Sequence, residues 1–399
     1  MPHAREGEVD LRGTEGLMRL AIACLVLSAC SDRTSPPPPK PRVDASDLIA
    51  KYECTRCHDV PGVAEAPRDK HCVRCHQQIH DGTFEAAPEH LAKWRGRITS
   101  LRWAPALAAA DRLRRDYIRD FLLAPHDVRP GLPAEMPRLK LSPDEAARLA
   151  AHLSPDDDGV LADGDITKGE QLFRSLACAR CHRFTGASVD DAVLHAAGRD
   201  QSKPAEWALA PDLRRARDRI RPSQLAAWIA APRGAMPNLG VPPAAARDLA
   251  AFISRTPLAG LTAPPAVTRL PLLERPVLWA EVEAKVFRDL CWHCHAVPDY
   301  ARGDGGPGNS GGFGYAPRGL DVSSYAGISS GSLDDHGEPR SIFATLPDGT
   351  PRVIAHLLAR HAEEAGAFGP IVGMPLGLPP LPLEEIQLVD SWIAQGRPQ

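Results

Sequence analysis

The 399-residue chain is short of aromatic rings: Phe, Trp and Tyr make up 5% of it, against 40 Pro and 32 Gly. A chain of this length is expected to divide into two to four domains. Rings supply much of the buried area of an ordinary core, so several independent cores are hard to fill from so few. The deficit points to large, flat, apolar groups supplied from outside the polypeptide. An excess of one charge is also missing. The formal net charge is -3, so nothing marks a nucleic-acid partner. The apolar run Leu20–Cys30 is too short to span a bilayer. Methionine is rare, with five in all, and the ten cysteines are not scattered.

Eight of those ten cysteines fall in four copies of one phrase. The copies are Cys54-Thr55-Arg56-Cys57-His58, Cys72-Val73-Arg74-Cys75-His76, Cys178-Ala179-Arg180-Cys181-His182 and Cys291-Trp292-His293-Cys294-His295. Each is a Cys-x-x-Cys-His, which reads as a site of covalent c-type haem attachment. Thiols three residues apart sit about one helical turn apart, so both reach the vinyl groups on one edge of a porphyrin. The histidine that follows supplies an imidazole nitrogen to iron. Cys-x-x-Cys alone is shared with redox dithiols and zinc knuckles, but a histidine follows all four pairs although only 15 occur in the chain. The expected cofactor is therefore four covalently bound haem c, with His58, His76, His182 and His295 on iron. One competing reading concerns the first two motifs. Cys57 and Cys72 are separated by 14 residues, close to the spacing of a four-cysteine zinc ribbon, although zinc would leave His58 and His76 without a role.

The remaining cysteines, Cys24 and Cys30, lie in the apolar run behind Arg19, which has the character of a secretory h-region. Its end, Leu27-Ser28-Ala29-Cys30, resembles the lipobox of bacterial lipoproteins. That resemblance implies a signal peptide over 1–29, Cys30 as the lipid anchor, and an exported protein on the periplasmic side of a bacterial membrane. Glu6, Glu8, Asp10 and Glu15 do not suit a positive n-region, so Met18 is the expected start. A Pro-rich tether over 30–45 follows, stiff and extended at Ser35–Pro41.

Beyond it the chain divides into units at 46–158 and 159–256, a Pro-rich linker at 257–276, and a unit at 277–399. An internal repeat supports the division: Met136-Pro137-Arg138-Leu139, Met236-Pro237-Asn238-Leu239 and Met374-Pro375-Leu376-Gly377-Leu378. Each leads to an amphipathic helix with apolar residues at i and i+4, namely Leu149/Leu153, Leu249/Ile253 and Leu388/Trp392. Short helices are also expected before three motifs, carrying Leu48/Ile49, Leu172/Phe173 and Val286/Phe287. Methionine used as core filler would be scattered, whereas every methionine other than Met1 and Met18 stands in this phrase.

Cys-x-x-Cys-His early, Met-Pro late and a closing helix together resemble class I cytochrome c domains. The resemblance implies an all-α fold of three tandem cytochrome c-like domains, the first with an extra haem-binding insertion. It also implies Met236 and Met374 as sixth ligands of the haems on Cys178/Cys181 and Cys291/Cys294. His/Met ligation raises the reduction potential relative to bis-histidine. The first unit breaks the pattern, with two motifs and one Met-Pro. Met136 is assigned to the haem on Cys54/Cys57, which has the preceding helix, although spacing also permits it to serve the haem of His76. The other iron needs a histidine, for which His71, His80, His90 and His126 are candidates.

Weaker features complete the reading. His152 aligns with Phe252 and is expected at a helix interface, and His293 is expected to be exposed. Gly303–Gly319 reads as a loop. Arg112–Arg119 and Arg214–Arg221 read as solvated helix faces, and Trp94, Trp103, Trp207 and Trp228 as packing rings. The expected function is a membrane-anchored tetrahaem carrier of single electrons between a redox-protein donor and acceptor. The alternatives are a haem enzyme (a peroxidase or a sulfur- or nitrogen-oxide oxidoreductase) using an open haem in the first unit, or a cytochrome subunit of a larger oxidoreductase.

Overall fold

Helices form where the apolar spacing places them, and most begin at a residue that suits a helix start. In the computed structural model, α1 (Ala45–Lys51) is capped by Asp44, whose carboxylate accepts the Ala45 N–H. The second motif opens α2 (Cys72–Asp81), and α3 (Pro88–Arg97), with proline in its first turn, packs on α2. A 3-10 turn at Leu107–Arg112 leads to α4 (Arg115–Leu123). Next, α5 (Pro143–Leu153) starts with a capping box: Ser142 Oγ accepts the Glu145 N–H, and Glu145 accepts the Ser142 N–H. Asp165 caps α6 (Ile166–Ser175), which is followed by α7 (Leu213–Arg219), α8 (Pro222–Ala230) and α9 (Pro243–Arg255). The last stretch holds α10 (Trp279–Val282), which continues as a π turn over Glu283–Phe287, and α11 (Tyr325–Ser330). A small hairpin of β1 (Ser332–Leu333) and β2 (Pro339–Arg340) precedes α12 (Arg352–Glu364) and α13 (Leu383–Ala394). The fold is helix-rich with few strands and fits the expected all-α class; the small antiparallel β1–β2 pair, Ser332 opposite Arg340, is a local addition.

The structure describes residues 44–128, 135–155, 163–189, 210–234, 236–261, 267–288, 290–297 and 318–399. The expected signal peptide, Cys30 anchor and nearly all of the tether lie outside them, as do Trp207 and most of Gly303–Gly319. Among the described residues no helix is long and apolar enough to cross a membrane.

Three helix pairs, α1 against α5, α6 against α9, and α10 against α13, run through the core, with α4 packed on α5 and α8 on α9. Close approach explains two glycines of the middle pair. A Cβ at Gly169 would fall 2.1 Å from Asp248 O, and one at Gly164 would fall 2.4 Å from Arg247 O. Beside that crossing Phe173, Phe184 and Phe252 are buried, with Phe173 and Phe252 centroids 5.5 Å apart. In the last pair Trp279 and Trp392 centroids are 5.5 Å apart, and Trp392 is fully buried. The stretch expected to be a linker is tied down at both ends. Ala259 N–H donates to Gly186 O (2.8 Å), Arg269 pairs with the buried Asp390, and Leu273 N–H donates to Ser391 Oγ (2.9 Å).

Three expectations are corrected. His152 is exposed, although Phe252 at the aligned place is buried. Phe252 rests on Phe173 and Phe184, whereas the α1–α5 crossing is filled by aliphatic Leu48, Ile49, Val60 and Leu149, leaving no ring stack to draw residue 152 inward. Trp103 is 65% exposed, so it does not pack as expected, whereas Trp94 is buried and Trp228 lies under the Arg112 guanidinium (5.8 Å). The arginine runs are seams more than solvated faces. Leu113 and Ile220 pair as an antiparallel bridge, Arg114 N–H donates to Arg219 O (2.8 Å) and Arg221 N–H to Arg112 O (3.2 Å). The Arg221 guanidinium is buried and donates to Ser154 Oγ (2.6 Å) and Leu113 O (3.3 Å). Arg115, Arg214 and Arg217 donate to the carbonyls of Ser154, Ala259 and Thr256. Such carbonyls, past the ends of helices, need donors, and guanidinium forks provide them.

Candidate haem-binding sites

Three of the four motifs share one backbone form. Cys54–Arg56, Cys178–Arg180 and Cys291–His293 are single 3-10 turns, and in each the histidine N–H donates to the first cysteine's carbonyl, at 3.0, 3.0 and 2.8 Å. Glu53 and Ala177, immediately before the first and third motifs, take left-handed φ values of 49° and 54°. That reversal turns the chain out of the preceding helix. The second motif instead forms the first turns of α2, with Cys72, Cys75 and His76 at i, i+3 and i+4 on one helical face.

The histidines are oriented by backbone carbonyls. His58 Nδ1 lies 2.8 Å from Pro105 O, His76 Nδ1 3.2 Å from Ser100 O, and His182 Nδ1 2.9 Å from Pro211 O. A carbonyl only accepts, so each Nδ1 carries the proton and each Nε2 presents a lone pair, the tautomer of an iron-ligating imidazole. The Pro211 loop is itself fixed, because Asp212 accepts the N–H groups of Thr185 (3.1 Å) and Arg214 (3.0 Å). Burial lowers the pKa of His58, His76 and His182 and pushes that of His295 down to about 4. All four are therefore held neutral, the form that binds metal. His295 Nδ1 is buried with no hydrogen-bond partner among the described residues.

The thiols are half-buried and unbridged: Cys54, Cys57, Cys72, Cys75, Cys178, Cys181, Cys291 and Cys294 form no disulfide. Burial pushes Cys75 up to about 11 and Cys291 up to about 12. Three motifs lie close together. Cys57 and Cys72, from different motifs, lie near enough to interact, and the interaction pushes Cys57 up. Burial and then the charge of Cys72 push Cys294 up to about 11. The exposed His293 stands within electrostatic range of His76. Among the described residues no three His, Cys, Asp or Glu groups gather as a metal-ion shell, so the zinc-ribbon reading of Cys54, Cys57, Cys72 and Cys75 gains no support.

The methionines sit on three differently held loops. Met136 and Met236 are half-buried, and Met374 packs against the α10–α13 core. Met374 N–H donates to His356 O (2.9 Å), and His356 Nδ1 is 2.7 Å from Val372 O. Near Met236 the turn is closed by Asn238 Oδ1, which accepts the Gly240 N–H (2.9 Å).

The four histidines suggested for the remaining iron separate. His71 is buried and caps α2, its Nδ1 accepting the Arg74 N–H (3.2 Å). The proton is then on Nε2, and neither nitrogen offers a lone pair. His80, on α2 with His76, faces Asp81. His126 lies far along the chain beside Tyr117 and Phe121 (centroids 6.0 and 5.5 Å), its Nδ1 on Ala124 O and its Nε2 buried without a partner among the described residues. It lines a cleft of about 690 Å³ between α4 and α7, a cleft with no cysteine in its wall. His90 is on α3, the helix packed against α2, with its ring tilted on Trp94 at 5.4 Å.

Haem fits these residues: paired half-buried thiols, a neutral imidazole oriented through Nδ1, and few rings of the chain's own in the α1–α5 core. Comparison with known families gives an independent finding. Residues 164–253 match the family model described as cytochrome C oxidase, cbb3-type, subunit III. That segment runs from just before α6 to near the end of α9, so it contains Cys178, Cys181, His182 and Met236. This chain contains a c-type cytochrome domain. Such a domain implies covalently bound haem c and suggests electron transfer. Comparisons with curated proteins and with solved structures found no match.

Sequence reasoning placed the thiols and the histidines after them, but not the carbonyls of Pro105, Ser100 and Pro211. A signal existed for two of these: the dipeptides Ala104-Pro105 and Ala210-Pro211, each shortly before a leucine that begins a helical turn. His356 carried no such signal.

Proposed function

We propose that this chain is a lipid-anchored, exported bacterial tetrahaem cytochrome c that passes single electrons between a redox-protein donor and acceptor. The proposed architecture is a dihaem unit at 46–158 followed by monohaem units at 159–256 and 277–399. The convergence of the first, second and fourth motifs carries the reading. Cys72 raises the pKa of Cys57, and Cys294 and His293 lie within electrostatic range of Cys72 and His76. Groups attached at these thiols are held side by side, which is what transfer between them requires. The polypeptide's part is to orient His58, His76 and His182 through backbone carbonyls, to exclude water, and to offer a second side chain to each iron. Met136, Met236 and Met374 serve three irons in this reading, and His90, on the helix packed against α2, serves the fourth.

Intact mass of the purified holoprotein tests the stoichiometry, with four haem additions expected. A product with haem on one motif alone overturns the tetrahaem reading. A haem enzyme is the second reading, favoured by the distance in sequence and the differing occupations of His71, His80 and His126. The spin state decides between them. Wholly low-spin ferric iron that becomes one-quarter high-spin in His90→Ala supports the carrier. A high-spin fraction already present in the unmodified protein supports an open, substrate-binding haem.

A further inference from the structure

The loops bearing Met136 and Met374 are far apart in sequence but share one buried joint. Arg138, two residues after Met136, reaches across to the last unit. Its Nη1 donates to Glu363 Oε1 (2.9 Å) and Ile371 O (3.3 Å), and its Nη2 donates to Gly369 O (2.8 Å). Its Nε returns to Leu123 O (3.3 Å), and its guanidinium lies 5.5 Å from the Phe368 ring. The two charged side chains are 17% and 4% exposed, so this is not a surface ion pair. Glu363 Oε1 also accepts the Gly373 N–H at 2.8 Å, one residue before Met374. Arg360, likewise buried, donates to Leu378 O (2.7 Å) and lies 3.8 Å from the Glu363 carboxylate. The backbones themselves touch. A Cβ at Gly377 would fall 2.4 Å from Glu135 O and 3.1 Å from Pro137 N, and one at Gly373 would fall 2.5 Å from Arg360 Cα. Glycine is required at both places: a side chain at 377 would force the two methionine loops apart, and one at 373 would push the Met374 loop off α12.

We propose that Arg138 and Glu363 are positioning residues that couple the axial ligation of two irons, one carboxylate holding the Met136 loop through Arg138 and the Met374 loop through the Gly373 N–H. This inference rests on the reading of Met136 and Met374 as iron ligands. Met236 has no share in the joint: its loop is closed within 236–240 by Asn238. A loop held from one side shifts alone, whereas two loops held by a single buried carboxylate shift together. Coupling between sites is a free energy shared by both, so a change at Arg138 is felt at Met374 and a change at Gly373 is felt at Met136.

The test uses the full haem-loaded protein and the methionine-to-iron charge-transfer absorption, with Met136→Ala, Met236→Ala and Met374→Ala as references that each delete one contribution. Arg138→Gln and Glu363→Gln keep shape and remove charge. Each is expected to reduce the contributions of both Met136 and Met374 and leave that of Met236. Arg138→Lys is expected to restore part of the loss, and Arg138→Gln/Glu363→Gln to lose no more than the worse single variant. If Arg138→Gln reduces the Met136 contribution alone, or reduces all three equally, the coupling is overturned. Should Glu363→Gln prevent folding, Gly377→Ala probes the same joint from the backbone side with the same two outcomes. The two failures are distinguishable: if Met136→Ala leaves the absorption intact, the ligand reading itself has failed; if it removes one contribution while Arg138→Gln removes none, only the coupling has.

Discussion

Single residues decide how tightly paired helices meet. Gly169 is the clearest case, because its missing Cβ is what lets α6 lie on Asp248 O at the crossing with α9. Gly169→Ala introduces a methyl 2.1 Å from that oxygen, and neither backbone has a flexible end to give way. Overpacking of this kind costs about 1–3 kcal/mol. The expected outcome is a lower thermal midpoint for the haem-loaded protein, read by circular dichroism, with haem content unchanged. An equal or higher midpoint would show that the crossing is looser than this contact. At this scale the thiols, the histidines after them and the Met-Pro phrases were legible, because their chemistry requires fixed local spacing. The Nδ1 acceptors were less so. A carbonyl serves whatever its side chain is, so Ser100 leaves no mark in sequence and Pro105 and Pro211 leave only a repeated dipeptide.

Pairs of elements bring in groups that spacing cannot anticipate. The α1–α5 pair is joined at its polar edge by Glu145. Its carboxylate accepts from Lys51 Nζ (2.6 Å), the Tyr52 hydroxyl (2.9 Å) and the Ser142 N–H (2.8 Å). Burial alone would raise its pKa, but bonds from Lys51, Ser142 and Tyr52 outweigh burial and hold it at about 2. An unfolded glutamate titrates at about 4.3. A carboxyl depressed on folding stabilises the fold above its unfolded pKa, and that stabilisation fades as pH falls toward the folded value of about 2. Glu145→Gln is therefore expected to cost about 2 kcal/mol at pH 7, with the difference from the unmodified protein shrinking below about pH 4. Denaturant unfolding across that range measures it, and a pH-independent difference would contradict the linkage. The same scale explains His152 and the arginine runs. Periodicity shows which face of a helix is apolar, and it located the α1, α5, α6, α9 and α13 faces. It does not show which carbonyls a neighbouring segment leaves unsatisfied, so Arg115, Arg217 and Arg221 read as solvated until their partners Ser154 and Thr256 are seen.

The seam at Leu113 and Ile220 depends on one of these arginines. Arg221→Ala would remove two donated bonds from a buried place, leaving Ser154 Oγ and Leu113 O with only the bond between them. Leaving buried groups short of a donor costs about 1–3 kcal/mol. Amide hydrogen exchange is expected to quicken on both sides of the seam, at Arg114 and Arg221 together, since each N–H bonds across it. Exchange that quickens only at residue 221 would mean that the bridge does not act as one unit.

Across the whole molecule, the three Met-Pro loops differ in what holds them, and under the proposed ligation this makes the potentials of their irons separable. Met374 hangs from α12 and shares the buried Glu363 with the Met136 loop. Met236 lies in the segment that matches a cytochrome family, and its turn is closed by its own Asn238. Replacing a thioether by an imidazole at one iron lowers that iron's reduction potential. Met236→His is therefore expected to move one step of a spectroelectrochemical titration to lower potential, with the other steps in place and the haem stoichiometry unchanged. Met374→His, by contrast, is expected to shift its own step and also disturb the Met136 step, because repositioning the Met374 loop is passed on through the close contact of Gly377 with Glu135 O and Pro137. The contrast between the two variants carries the information. If both move a single step, the irons are tuned independently and the contact between the loops is only packing. If Met236→His moves several steps, the segment at 164–253 is linked to the rest by more than the arginine seams, and the division into separately tuned units fails.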